Sequence, residues 1–307
     1  MSVDVWIPAR TEPEHRALLP PEAVAHEIPA EGPLPERLGH GDLIVAAFDT
    51  ERLLDVVPRL DGLRVIQTLS AGVDSLVGRI PSGITLCDAS GVHDVSVAEW
   101  VVMAILASIR NLPQHVAAQR NARWPGGQPA EGDDLDGATV LILAYGSIGR
   151  ALEARLAPFG ARFLRVALHA REGVSAVSEL PALLPHADVV VVLLPLTDAT
   201  RGLVDVAFIA RMRAGALLVN AARGPIVDTS ALVGALEARR IHAALDVTDP
   251  EPLPPGHPLW SAPDVLMTPH IGGLVRKRLD RSWRLVADQV GRFARGEPLR
   301  NVVVEGY

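Results

Sequence analysis

Short apolar runs, each bounded by glycine or polar residues, recur along the whole chain, and their length decides what they form. Residues 3–7, 42–47, 63–68 and 84–88 are too short for average helices and read as buried strands. The Pro- and Glu-rich segment after the first run, through Gly32 and Pro35, reads as turn and surface, and 53–60 as a short element between strands. This alternation predicts a small α/β domain at the N-terminus.

From Ser96 the period changes. Val97, Val101, Ala104, Ile105 and Ser108 form a stripe at helical spacing, which predicts one long helix over 96–119, with Ser96 and Glu99 spaced as a capping box. A helix of that length suits a link between domains or packing on a second subunit. Residues 120–134, with Trp124-Pro125-Gly126-Gly127, read as an ordered loop or arm.

Strand-like runs then resume. Over 135–171 an apolar run, a glycine-bearing turn, an amphipathic helix ending at Phe159-Gly160 and a second apolar run make a βαβ unit. Runs at 187–194, 216–220, 242–246 and 264–268 extend it, with helical patterns at 206–212 and 230–238 between them. Right-handed crossovers make these one doubly wound parallel sheet. Residues 276–295 read as a last long helix, stopped by Gly296, that returns to the first domain. The expected architecture is α/β: a dinucleotide-binding (Rossmann) domain over 95–274 inserted into a smaller domain built from 1–94 and 275–307.

Composition narrows the function classes. A net charge of -7 over 307 residues gives no electrostatic reason to expect nucleic acid or an anionic membrane as partner. The single Cys87 excludes an internal disulfide framework and a cysteine-based zinc site, and no metal is expected. No run is apolar for long enough to span a bilayer, and the N-terminus, with Asp4 and no basic region, does not read as a signal peptide. The expectation is a cytoplasmic protein.

The turn Ala144-Tyr145-Gly146-Ser147-Ile148-Gly149 fits the G-x-G-x-x-G fingerprint except at its first position, where Ala144 should narrow the turn slightly. Gly146 lets the backbone approach a pyrophosphate, and Gly149 lets the helix pack closely on the strand. The helix N-terminus, at Ser147, Ile148 and Gly149, attracts the phosphates. The acid expected about 20 residues further on, to bind a ribose 2′-hydroxyl, is missing. That stretch reads Arg165-Val166-Ala167-Leu168-His169-Ala170-Arg171. Arg165 and Arg171 suit a 2′-phosphate, so NADP(H) is favoured over NAD(H).

Three later motifs stand just past strand ends: Asn220-Ala221-Ala222-Arg223-Gly224-Pro225, Asp246-Val247-Thr248-Asp249-Pro250-Glu251 and Thr268-Pro269-His270-Ile271-Gly272. In an open parallel sheet such positions converge on one crevice. With these motifs in this order, the chain resembles the D-isomer-specific 2-hydroxyacid dehydrogenase family, in the branch of glyoxylate/hydroxypyruvate reductases and phosphoglycerate dehydrogenases. The resemblance runs from Leu69-Ser70-Ala71-Gly72-Val73-Asp74 through Pro195-Leu196-Thr197 to Pro269-His270.

It implies a homodimer of two-domain subunits, each with a flavodoxin-like substrate domain and its active site in the cleft between domains. Carried over by position, Arg223 binds the carboxylate of a small 2-oxo acid and polarises its keto oxygen. The N–H groups of Ala71, Gly72 and Val73 hold the other side of that carboxylate. His270 donates the proton and Glu251 fixes its orientation. Asp246 is the implied partner of the nicotinamide carboxamide, with Ser96, Pro195, Ala221, Ala222 and Gly272 lining the same cofactor. The basic stretch Leu274-Val275-Arg276-Lys277-Arg278 reads as a solvated helix start, with attraction of a second anionic group on the substrate as the other reading. The alternative function is a cofactor-sensing, corepressor-like binding module of the same superfamily. A formate dehydrogenase is disfavoured, because that branch pairs its histidine with Gln where this chain has Glu251.

Overall fold

In the computed structural model the described residues are 1–29, 31–47, 49–124 and 131–304. The chain divides into two compact units, Met1–His93 with Arg276–Tyr307, and Asp94–Val275.

The first unit carries a five-stranded parallel sheet, in the order Ala23–Ile28, Val3–Pro8, Leu43–Ala46, Val65–Thr68, Thr85–Cys87. Numbered along the chain this is 2-1-3-4-5, the flavodoxin-like order. Alternate residues of a strand face opposite sides, so Leu43 and Val45 join one core and Ile44 and Ala46 the other. The first of these cores is closed by Trp283, Val286 and Val290 of the helix Arg278–Arg295. Gly296 ends that helix at φ 68, and the Glu297 N–H closes on Arg292 O at 2.9 Å.

The strand Ala23–Ile28 corrects the reading of its segment as turn and surface. It lies at the sheet edge with most of its residues partly or fully exposed, so it lacks the buried run that marks an inner strand. A two-stranded pair, Gly39–His40 with Leu60–Asp61, is likewise unmarked in the sequence.

The second unit is a seven-stranded parallel sheet. Its order is Ser175–Ala176, Arg162–Ala167, Thr139–Leu143, Val189–Val192, Leu217–Asn220, His242–Leu245, Val265–Met267. The order reverses between Thr139–Leu143 and Val189–Val192, which pair directly, and that is the switch point where ligands bind in doubly wound sheets. Four consecutive valines suffice for the inner strand because both its faces are covered: Val190 and Val192 belong to one core, Val189 and Val191 to the other.

The expected single helix over 96–119 is two helices, Asp94–Ile109 and Leu112–Arg120, bent by 71°. Pro113 is the cause: it has no N–H to return to Ile109 O, which accepts the Asp133 N–H at 2.8 Å instead, and Asn111 turns the chain at φ 53. Ser96 therefore lies inside the first turn of the helix and not at its cap. Of the expected arm, residues 125–130 lie outside the described residues. Among the described residues no single helix is long and apolar enough to cross a membrane.

Candidate active site

Every strand of the second sheet runs parallel, so its C-terminal ends share one edge, and each expected residue of this unit follows such an end except Ser96 and Arg165, the latter lying within the strand Arg162–Ala167. Ser96 lies buried on the helix Asp94–Ile109, which packs against that sheet.

The turn after Thr139–Leu143 is shaped for a dinucleotide. Ala144 sits at φ 77, a left-handed conformation that strains any side-chain-bearing residue, so it does not simply narrow the turn; it adopts the backbone of the glycine it replaces. The N–H groups of Ala144 and Tyr145 both go to Val166 O, at 3.0 and 2.9 Å. The helix Ser147–Leu156 starts without a side-chain cap, so its first-turn N–H groups point outward from the N-terminus. A Cβ on Gly146 would meet nothing within 4 Å, whereas one on Gly149 would lie 3.1 Å from Ile142 and 3.2 Å from Ala144 O. Open space at the first glycine and close packing at the second are what a pyrophosphate on this helix requires.

The motif after Leu217–Asn220 is built on Asn220, which is buried. Its Oδ1 accepts the Ala222 N–H at 3.1 Å and its Nδ2 donates to Arg223 O at 3.0 Å, fixing the backbone on both sides of the arginine. Gly224 lies against the Thr248 carbonyl with no room for a Cβ, which locks this turn to the one that precedes Glu251.

At the last strand end, His270 Nδ1 lies 2.7 Å from Glu251 Oε1. His270 stands at φ 54 and its N–H donates to Asp246 O at 2.7 Å. The Asp246 side chain, 4% exposed, accepts the Ile271 N–H at 2.8 Å, the Gly272 N–H at 2.7 Å and the Thr268 hydroxyl at 2.6 Å. Thr268 in turn accepts Trp100 Nε1 at 3.0 Å. Asp246 thus holds the histidine loop from below.

The family model for D-isomer specific 2-hydroxyacid dehydrogenase, NAD binding domain, matches residues 102–272. The chain belongs to this family. It is an NAD(P)-dependent oxidoreductase. Human glyoxylate reductase/hydroxypyruvate reductase is 35% identical over 272 residues, 85% of this chain and 82% of that protein. The D-3-phosphoglycerate dehydrogenase of Methanocaldococcus jannaschii is 32% identical over 87% of this chain, which spans only 52% of that relative. A D-isomer specific 2-hydroxyacid dehydrogenase from Xanthobacter autotrophicus Py2, solved with NADPH and MES, superposes with a TM-score of 0.81 at 29% identity, covering 99% of this chain and 98% of that one.

In this dehydrogenase the remaining expected residues fall as follows. Pro195 follows Val189–Val192 and its carbonyl accepts the Thr200 hydroxyl at 2.7 Å. Ala221 donates to Val192 O at 3.3 Å. Ser147 Oγ donates to Asp94 Oδ1 at 3.1 Å. Arg165 is already engaged: Nε and Nη2 reach the two oxygens of Glu153 at 2.6 and 2.5 Å, and this ion pair holds the Glu153 carboxyl below its usual range. Arg171 is exposed and donates to Tyr145 O at 2.6 Å, next to the phosphate turn. Ala71, Gly72 and Val73 belong to the first unit and follow its strand Val65–Thr68, in a turn where Ser70 Oγ donates to Gly72 O at 3.0 Å.

Sequence reasoning missed Trp100, Thr268 and Asn220 as supports of the site. Asn220 and Thr268 carried a signal, as hydrogen-bonding side chains in the strand-end motifs; Trp100 carried none, since its partner is 168 residues away.

Proposed function

We propose that this dehydrogenase transfers hydride between NADP(H), in preference to NAD(H), and a small 2-oxo or 2-hydroxy acid such as glyoxylate or hydroxypyruvate. The observation that supports it most is the His270–Glu251 pair at 2.7 Å, on the same sheet edge as Arg223 and the phosphate turn. The dinucleotide, when bound, supplies the hydride. Arg223 pairs with the substrate carboxylate and polarises the keto oxygen, and the Ala71-Gly72-Val73 turn binds the same carboxylate. Because His270 Nδ1 is taken by Glu251, Nε2 is the nitrogen that delivers a proton to that oxygen as the carbonyl carbon gains hydride. Arg171, in a stretch without the acid expected for a ribose 2′-hydroxyl, supports the NADP preference, whereas Arg165 is taken by Glu153. The resemblance also implies a homodimer, which light scattering tests, and the cytoplasmic location expected from composition is tested by cell fractionation.

The test is a panel of 2-oxo acids assayed with NADPH and with NADH, alongside the H270A variant. The expected result is faster oxidation of NADPH, with turnover reduced about 10²- to 10⁴-fold in H270A. Unchanged turnover in that variant overturns the role of His270. Cofactor binding without turnover on any acid overturns the reductase reading in favour of a cofactor-sensing module.

A further inference from the structure

In the first unit, four segments bring two carboxylates and two imidazoles together. Asp4 lies near the start of the strand Val3–Pro8, His26 on the neighbouring strand Ala23–Ile28, His40 in the short strand Gly39–His40, and Asp42 directly before Leu43–Ala46. One metal-ligating atom from each of Asp4, His40 and Asp42 lies within 4.8 Å of the other two. His40 Nε2 is 3.7 Å from Asp42 Oδ1, and His26 Nε2 is 2.6 Å from Asp4 Oδ1.

The surrounding structure holds these groups in place. The Asp4 N–H donates to Asp42 Oδ2 at 3.0 Å and the Asp42 N–H to Asp4 O at 2.9 Å, so the two acids are tied to each other. Trp6, which is buried, stacks on His26 with ring centroids 4.9 Å apart and donates Nε1 to His40 O at 2.9 Å. The His40 ring rests on Gly62, where a Cβ would lie 3.0 Å from Nδ1, and this leaves Nε2 toward Asp42. Burial favours the neutral form of Asp42, yet hydrogen bonds from Arg64 and the Asp4 N–H hold its carboxyl below the usual range. Arg64 Nη2 reaches Asp42 Oδ1 at 2.8 Å, and a carboxylate oxygen has a second lone pair to offer. With both histidines neutral, Asp4, Asp42 and Arg64 together leave one net negative charge.

We propose that Asp4, His40 and Asp42 bind a divalent transition-metal ion of the zinc class, with His26 holding the Asp4 carboxylate from behind. One imidazole nitrogen and two carboxylate oxygens suit zinc, which takes such ligands at about 2.0–2.2 Å. The His40 side chain is 58% exposed, so it is free to close on the ion and leaves a fourth position open to water. A ligating carboxylate keeps its orientation through an outer hydrogen-bond partner, the part His26 plays. The site departs from the expectation of no metal because its residues come from separate segments that only the fold joins, and it needs no cysteine. Ligands of a doubly wound sheet bind outside the C-terminal ends of its strands, whereas Asp4 and Asp42 stand at N-terminal ends. The ion therefore clips three segments together and stabilises the unit, apart from the roles given to Arg223 and His270.

The test is titration of the untagged, chelator-treated full chain with zinc chloride by calorimetry, and with cobalt(II) followed by visible absorption. The expected result is one equivalent bound saturably, an intensified cobalt spectrum, and a Tm that rises with zinc concentration. H40A, at an exposed position, should remove the binding, and H26A should weaken it by about 10- to 100-fold. E14Q, in the other cluster of this kind, Glu14, His15 and Asp280, should leave it unchanged. No saturable binding, an isotherm unmoved by H40A, or one abolished by E14Q overturns the site.

Discussion

Glu251 Oε1 lies 2.7 Å from His270 Nδ1, on a loop whose neighbour, Gly224, is pressed against the Thr248 backbone. The carboxylate fixes which ring nitrogen faces the substrate. We expect E251Q, which keeps a partner but loses the charge, to lower kcat by about tenfold, since charge-assisted hydrogen bonds are roughly twice as strong as neutral ones. E251A, which also frees the ring to rotate, should lower it further while the KM for the dinucleotide stays put. Steady-state kinetics over a pH series check both, and equal kcat in all three proteins would refute the pairing's role.

Asp246 tests the support of the same loop. Its carboxylate takes the N–H groups of Ile271 and Gly272, and an amide in its place presents a donor to a donor. D246N should destabilise the protein by about 1–3 kcal/mol, the penalty of an orphaned buried group, and reduce kcat together with it. Urea unfolding followed by tryptophan fluorescence measures the first, and turnover the second.

Ala144 occupies a left-handed conformation at φ 77, which disfavours alanine by roughly 1–2 kcal/mol relative to a right-handed one. A144G relieves that strain but adds the chain entropy of glycine, so the net gain expected is about 0.5–1 kcal/mol. Thermal unfolding of the apo protein is the measurement, and a lower Tm would contradict the strain.

Cofactor choice is better tested at Arg171 than at Arg165. R165D would set a second carboxylate against Glu153 and mix folding with recognition. R171D leaves that ion pair alone, and should shift the ratio of kcat/KM for NADPH over NADH toward NADH by about tenfold, the value of one charge-assisted contact. An unmoved ratio would assign the 2′-phosphate elsewhere.

Cys87 is fully buried, and burial pushes its thiol up to about 11 from 9.0. A thiol that holds its proton more tightly when folded stabilises the fold below pH 9, and this contribution is lost as pH rises from 9 toward 11. Iodoacetamide at pH 8 should therefore leave the native protein unlabelled and modify it only in denaturant, which mass spectrometry reads directly.

The sequence by itself determined the inner strands, because runs such as Val-Val-Val-Val at 189–192 are buried on both faces and need no partner to be recognised. It also determined the family-bearing motifs around Gly146, Arg223, Glu251 and His270, since each is a local string at a strand end. Tertiary structure alone decided the rest. The edge strand Ala23–Ile28 has no buried run of its own, and forms because Val3–Pro8 offers it a ladder. The bend after Ile109 was signalled locally by Pro113, and what tertiary structure alone decided is that the Asp133 N–H takes the carbonyl Pro113 cannot serve. Trp100, Thr268 and Asp246 form one support for His270 although they are far apart in the chain, and Arg165 answers to Glu153 on the preceding helix. Hydrophobic period and turn chemistry are properties of neighbours along the chain, whereas the partner of a polar side chain is set by which segments the fold brings together.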